Sequence, residues 1–85
     1  MISNRNIIDI FNQFVPKGKL IHVELIHQIV ENNFPLTKED WLPNPSEIKR
    51  HSHYPSWKRK VQAALHTLKL KNRIKHFENT KEYIF

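Results

Sequence analysis

The sequence predicts a mainly α domain spanning residues 1–85, three helices followed by a small C-terminal β-hairpin. Two patterns point there. In the stretch Pro55-Ser56-Trp57-Lys58-Arg59-Lys60-Val61-Gln62-Ala63-Ala64-Leu65-His66-Thr67-Leu68-Lys69-Leu70-Lys71, the apolar residues Trp57, Val61, Ala64, Leu65 and Leu68 fall at i, i+4, i+7, i+8 and i+11, the period of one helical face. After it, Arg73 to Phe77 and Glu82 to Phe85 alternate weakly around the polar turn Glu78-Asn79-Thr80-Lys81, as a hairpin would, although the turn lacks the glycine such hairpins favour.

The remaining elements follow in order. Ile7, Ile8, Phe11, Phe14 and Val15 repeat at helical spacing, so residues 4–14 read as a helix with Ser3 or Asn4 as N-cap and Pro16 as its stop. Lys17-Gly18-Lys19 is a turn, and Leu20-Ile21-His22 is long enough only to add an edge to a small sheet. Val23, Ile26, Ile29 and Val30 mark a second helix from Val23 to Asn32, stopped by Asn32-Asn33 and Phe34-Pro35. Thr37-Lys38-Glu39-Asp40 has capping-box spacing, which predicts a short helical turn ending near Trp41. Pro43 and Pro45 then predict an irregular segment through about Tyr54, and Pro55 suits the first turn of the long helix. Three helices with a C-terminal wing is the winged helix-turn-helix arrangement, in which one helix enters the major groove and the hairpin lies along the backbone.

Eighty-five residues build one small domain with a modest core and little room for an elaborated active site. The absence of cysteine removes disulfides and thiolate metal sites. No run approaches the roughly 18 apolar residues of a membrane span, and the polar Ser3-Asn4-Arg5-Asn6 is unlike a signal peptide, so a cytoplasmic location is expected. The formal net charge of +6 is unevenly placed: residues 1–48 sum to −2 and residues 49–85 to +8. A basic half on a slightly acidic base is the pattern of a protein with one surface turned to a polyanion. An anionic membrane would also suit the charge, but no basic helix carries the bulky aromatic face of a surface binder.

Wound at about 100° per residue, the long helix turns Arg59, Gln62, Ala63 and His66 away from its apolar stripe. An arginine there offers the bidentate donor pair that guanine O6 and N7 accept, and Gln62 offers the same for adenine N6 and N7. His66 shares that face, and Ala63 keeps its centre small enough for close approach. These four are the expected base contacts. The expected backbone contacts are Lys49, Arg50, His51, His53, Tyr54, Ser56, Lys58, Lys60, Lys69, Arg73, Lys75 and Lys81, which would add affinity and salt dependence rather than sequence information. The competing reading is a solvated basic face on an ordinary amphipathic helix. Trp57 lies on the apolar stripe and is expected in the core. Trp41 is expected to be a core anchor, and Tyr54, off the stripe, is the better aromatic candidate for DNA.

From Trp57 through Lys75, and through the hairpin ending Glu82-Tyr83-Ile84-Phe85, the sequence resembles the winged-helix domains of restriction endonucleases. It is similar to the N-terminal domain of Mrr-type modification-dependent enzymes and to the C-terminal domain of Dpn-type adenine-methyl-dependent ones. Leu36-Thr37-Lys38-Glu39-Asp40-Trp41 resembles the acidic turn before the DNA-reading region of Mrr-type domains. Gly18 to Ile26 is similar to the opening of helix 2 in related helix-turn-helix modules, so the likeness covers residues 17–85. Two departures stand out: Lys81-Glu82 where the family wing carries glycine before its aromatic, and Asn72 near the family's glycine after the long helix. The resemblance implies a module that reads a short site on double-stranded DNA, methylated in some relatives, beside a fused or associated nuclease domain.

Catalysis by the chain itself is not expected. Glu47-Ile48-Lys49 is formally an E-x-K with Asp40 upstream, but it falls in a proline-broken segment rather than on a strand, whereas metal-assisted hydrolysis needs carboxylates fixed around the ion. His51-x-His53 has no cysteine, HExxH or acidic cluster to complete a metal site, so no metal or cofactor is expected and these imidazoles are assigned to phosphate. A winged-helix protein–protein interaction module or a small transcriptional regulator is the alternative function. An RNA binder ranks third, since nothing resembles an aromatic sheet platform.

Overall fold

The computed structural model describes residues 1–49 and 53–85, with Glu47 described by its backbone alone. The predicted phosphate contacts Arg50 and His51, and the Glu47 side chain of the E-x-K, lie outside the described residues.

The first helix, α1 (Asn4–Phe14), begins where Ser3 caps it: the Ser3 hydroxyl accepts from the Asn6 amide at 3.1 Å and Asn6 Oδ1 accepts from the Ser3 amide at 2.9 Å. This is a capping box with asparagine in the usual Glu/Gln position. Ile7, Ile10 and Phe11 are its buried face, whereas Phe14 is 47% exposed. Gly18, at φ +73°, turns the chain into the strand β1 (Leu20–His22), and its amide donates to the Phe85 carbonyl at 2.9 Å. The second helix, α2 (Val23–Asn33), follows β1 directly, because His22 Nδ1 accepts from the Glu24 amide at 3.1 Å and so serves as N-cap.

Thr37 caps the short α3 (Lys38–Trp41), the capping box having the expected spacing and Asp40 closing it. The segment predicted to be irregular holds a further helical turn, α4 (Pro45–Lys49). The prolines that argued against a helix argue for one at this place: Pro45 is the first helical residue, where a missing N–H costs nothing, and the Asn44 carbonyl accepts from the Ile48 amide at 3.1 Å.

The long helix, α5 (Ser56–Leu70), is positioned by a network at its start. Asp40 is fully buried, and its carboxylate accepts from the amides of Ile2 and Thr37, each at 3.0 Å, and from the Thr37 hydroxyl at 3.2 Å. Burial pushes its pKa up, but the backbone donors of Thr37 and Ile2, the Thr37 hydroxyl and the N-terminal ammonium together hold it below the ordinary aspartate value. The Ser56 hydroxyl donates to the Asp40 carbonyl at 3.0 Å, and Lys60 Nζ donates to the Ile2 carbonyl at 2.8 Å. α5 ends at Asn72, whose φ of +57° and the bond from the Arg73 amide to the Leu68 carbonyl (3.0 Å) close the last turn, with asparagine in the place glycine usually takes.

The hairpin strands β2 (Lys75–Phe77) and β3 (Glu82–Ile84) complete a three-stranded antiparallel sheet in the order β1-β3-β2. Lys81, at φ +56°, takes the left-handed turn position without being glycine. Register pairs Ile21 with Tyr83 and Tyr83 with His76, so these three share the inner face. Leu20, Ile84 and Lys75 share the outer face with His22, Glu82 and Phe77.

The core gathers Ile2, Ile7, Phe11, Ile21, Ile26, Val30, Val61, Leu65 and Ile74 around Trp57, which is 0% exposed as its place on the stripe predicts. Trp41 departs from its expected role. It is 42% exposed and meets the Trp57 ring at a near-right angle with centroids 5.4 Å apart, because α3 is a single turn that leaves its last residue at the rim. The chain is mainly helical with a small sheet, and among the described residues no helix is long and apolar enough to cross a membrane.

Candidate nucleic-acid interface

Opposite the buried residues Trp57, Val61, Ala64 and Leu65, α5 exposes Gln62, Ala63, His66 and Thr67. Three of the four predicted base contacts therefore face solvent. The fourth, Arg59, is half-buried because its guanidinium lies over the Tyr54 ring, 4.6 Å from the centroid. Tyr54 in turn accepts from Gln62 Nε2 at 2.9 Å. Burial and the Glu24 charge push the Tyr54 phenol up and the Arg59 charge pulls it down, with a net rise that keeps it protonated.

Between the start of α2, the outward side of α5 and the inner face of the hairpin runs an open cleft of about 680 Å³. Gln62, His66 and Lys69 line it from α5, and His76, Lys81 and Tyr83 line it from the hairpin. The β3–β2 register brings His76 flat against Tyr83, with ring centroids 4.4 Å apart and planes 5° from parallel. Lys69 and Lys81 thus share a surface with the predicted reading face. The cleft also holds Glu24 and Glu78, neither anticipated, and Glu78 Oε1 lies 3.8 Å from Lys69 Nζ.

His27 also reaches this cleft from α2. It is 3% exposed, packs edge-on against Trp57 at 5.6 Å, and neither ring nitrogen has a hydrogen-bond partner among the described residues. Glu24 Oε2, at 4.0 Å from Nδ1, is too far for one. Burial lowers the His27 pKa and Lys58 lowers it further, outweighing the opposing pull of Glu24. Its spacing from Val23, Ile26 and Val30 was the signal that it belongs to the buried face of α2.

The predicted phosphate contacts divide. Lys58 is half-buried, with Nζ 5.6 Å from the Trp57 ring, while Lys49 and His53 are exposed. Arg73 is exposed too, but it lines a separate groove with Asn4, Ile8 and Thr67 on the α1 side of the long helix. Lys75 is exposed on the outer face of the sheet, away from His76 and the cleft. Two expectations are corrected. Ser56 is 5% exposed and its hydroxyl is committed to the Asp40 carbonyl, so it faces no phosphate. Lys60 is half-buried and spends its ammonium on the Ile2 carbonyl, on the side of α5 that meets the N-terminal segment. Among the described residues no group of three or more His, Cys, Asp or Glu is placed to hold a metal ion.

Compared with known proteins, the chain matches no protein-family model, and no curated protein or solved structure is significantly similar to it.

Proposed function

We propose that this chain is a winged-helix module that reads double-stranded DNA, with α5 as the recognition helix and the β2–β3 hairpin as the wing. One observation carries the reading: the polar face Gln62-Ala63-His66 stands open, opposite a fully buried Trp57, and continues through the cleft into Lys69, His76 and Lys81. The placement of β1 before α2, the hairpin after α5 and the β1-β3-β2 sheet support this reading. In this reading Arg59 and Gln62 meet base edges, while Lys49, Lys58, Lys69 and Lys81 meet phosphates. The chain itself does no chemistry. A role as the target-recognition part of a modification-dependent restriction system, beside a nuclease domain, is supported by the sequence resemblance alone.

A salt titration tests the proposal. With about four phosphates contacted, duplex affinity should fall roughly 100-fold between 50 and 200 mM salt, and Lys81→Gln should reduce the log–log slope by about one. A protein–protein module is the second reading, favoured by Leu20 and Phe77, which stand 56% and 42% exposed on the outer face of the sheet. It predicts little duplex affinity even at 50 mM salt.

A further inference from the structure

We propose that Tyr54 is a positioning residue that sets Arg59 and Gln62 into one arrangement for reading adjacent bases, an inference that rests on the duplex-DNA reading above. Tyr54 touches the two residues in different ways. Its ring lies under the Arg59 guanidinium, 4.6 Å from centroid to Cζ, and its hydroxyl accepts from Gln62 Nε2 at 2.9 Å. One side chain outside the helix thereby ties together two positions on successive turns of α5.

The tyrosine is itself held in place. It precedes Pro55, whose ring restricts the backbone of the residue before it. The Pro55 carbonyl accepts from the amides of Lys58 and Arg59 at 3.1 and 3.3 Å, which docks this junction onto the first turn of α5. Free arginine and glutamine side chains sample many rotamers, and fixing them on binding opposes affinity. Tyr54 fixes them beforehand.

The hydroxyl contact does something the ring cannot. A glutamine amide has nearly the same shape in either orientation, yet its two ends differ in chemistry. The phenol can bond either end, accepting from Nε2 as it does here or donating to Oε1, so it fixes where the Gln62 amide sits on α5. Held there, the amide still offers an N–H and Oε1 as the donor–acceptor pair that adenine N7 and N6 require. The phenol therefore acts on the Gln62 base and the ring on the Arg59 base.

The two roles separate by substitution. Tyr54→Phe keeps the ring and removes the hydroxyl, whereas Tyr54→Leu removes both. Oligonucleotides selected from a random duplex pool by the wild-type chain, Tyr54→Phe, Tyr54→Leu, Gln62→Ala and Tyr54→Phe/Gln62→Ala would be compared at one salt concentration. Thermal unfolding of each variant would be followed in parallel. Tyr54→Phe should lower discrimination at the Gln62 base about 3- to 10-fold and leave the Arg59 base unchanged, and Tyr54→Leu should relax both. Adding Tyr54→Phe to Gln62→Ala should change discrimination no further, the non-additivity expected of two ends of one contact. If Tyr54→Leu does not fold, the phenylalanine variant and this cycle decide the question. A Tyr54→Phe profile identical to wild type, additive losses in the cycle, or an equal loss on all duplexes would each overturn the inference, the last by making Tyr54 a plain phosphate contact. A wild-type chain that selects no sequence would instead remove the DNA reading on which the inference stands.

Discussion

The two sides of α5 look alike in sequence and behave as opposites in the fold. On one side, Ser56 and Lys60 give their polar groups to the carbonyls of Asp40 and Ile2, beside an Asp40 carboxylate holding three donors. On the other, Gln62, Ala63 and His66 stand open, and Tyr54 holds both the half-buried Arg59 and the exposed Gln62. The first arrangement turns these polar groups inward to partners within the chain and serves stability. The second leaves Gln62, Ala63 and His66 turned outward, the face that the proposed function assigns to recognition. Net charge does not distinguish them, since Lys60 and Arg59 are neighbours in sequence and only their partners set them apart.

The sharpest way to break the comparison is to attack the closed side. Asp40→Ala strands the Ile2 and Thr37 amides, and charge-assisted bonds of this kind support a loss of roughly 3 kcal/mol, readable as a lower urea midpoint. Base preference measured at a temperature where the variant stays folded should be unchanged. The sign with pH follows from the lowered Asp40 pKa: its contribution is present above the unfolded value of 3.8 and is lost as pH falls through the folded one.

On the open side the effects should reverse. Arg59→Ala should cost about 1–3 kcal/mol of discrimination at one base pair, seen as relaxed preference in oligonucleotide selection, while the urea midpoint moves by less than for Asp40→Ala. A large stability loss with unchanged preference would move Arg59 to the closed side.

His27 sharpens the comparison from between the two, buried like the closed side yet with no hydrogen-bond partner among the described residues. Because its folded pKa lies below the unfolded 6.5, the unfolded chain takes up the proton first. Stability should therefore decline as pH drops below 6.5 toward the folded value. His27→Leu, which removes two unsatisfied nitrogens, should flatten that decline in thermal melts and raise stability at pH 7 by about 1 kcal/mol. A melt series in which wild type and His27→Leu decline in parallel would contradict the assignment.

What could be read beforehand was what local chemistry controls. Ser3, Thr37 and Pro16 mark helix ends within a few residues of themselves, and the stripe through Trp57 sets which side of α5 is buried. α4 was missed because proline reads as a breaker unless its place at a helix start is known. Ser56 and Lys60 were misassigned because their partners lie 16 and 58 residues away, beyond the reach of any periodicity. The contact of Tyr54 with Gln62 spans only eight residues, but it forms across the Pro55 junction, where helical spacing does not apply.

The most direct test of the account is to map backbone amide shifts by nuclear magnetic resonance as a short duplex is added at low salt. Perturbations should concentrate at Arg59, Gln62, Ala63, His66 and Lys81, sparing Ser56 and Lys60. Perturbations centred on Leu20 and Phe77 of the outer sheet face, or none at all, would contradict it.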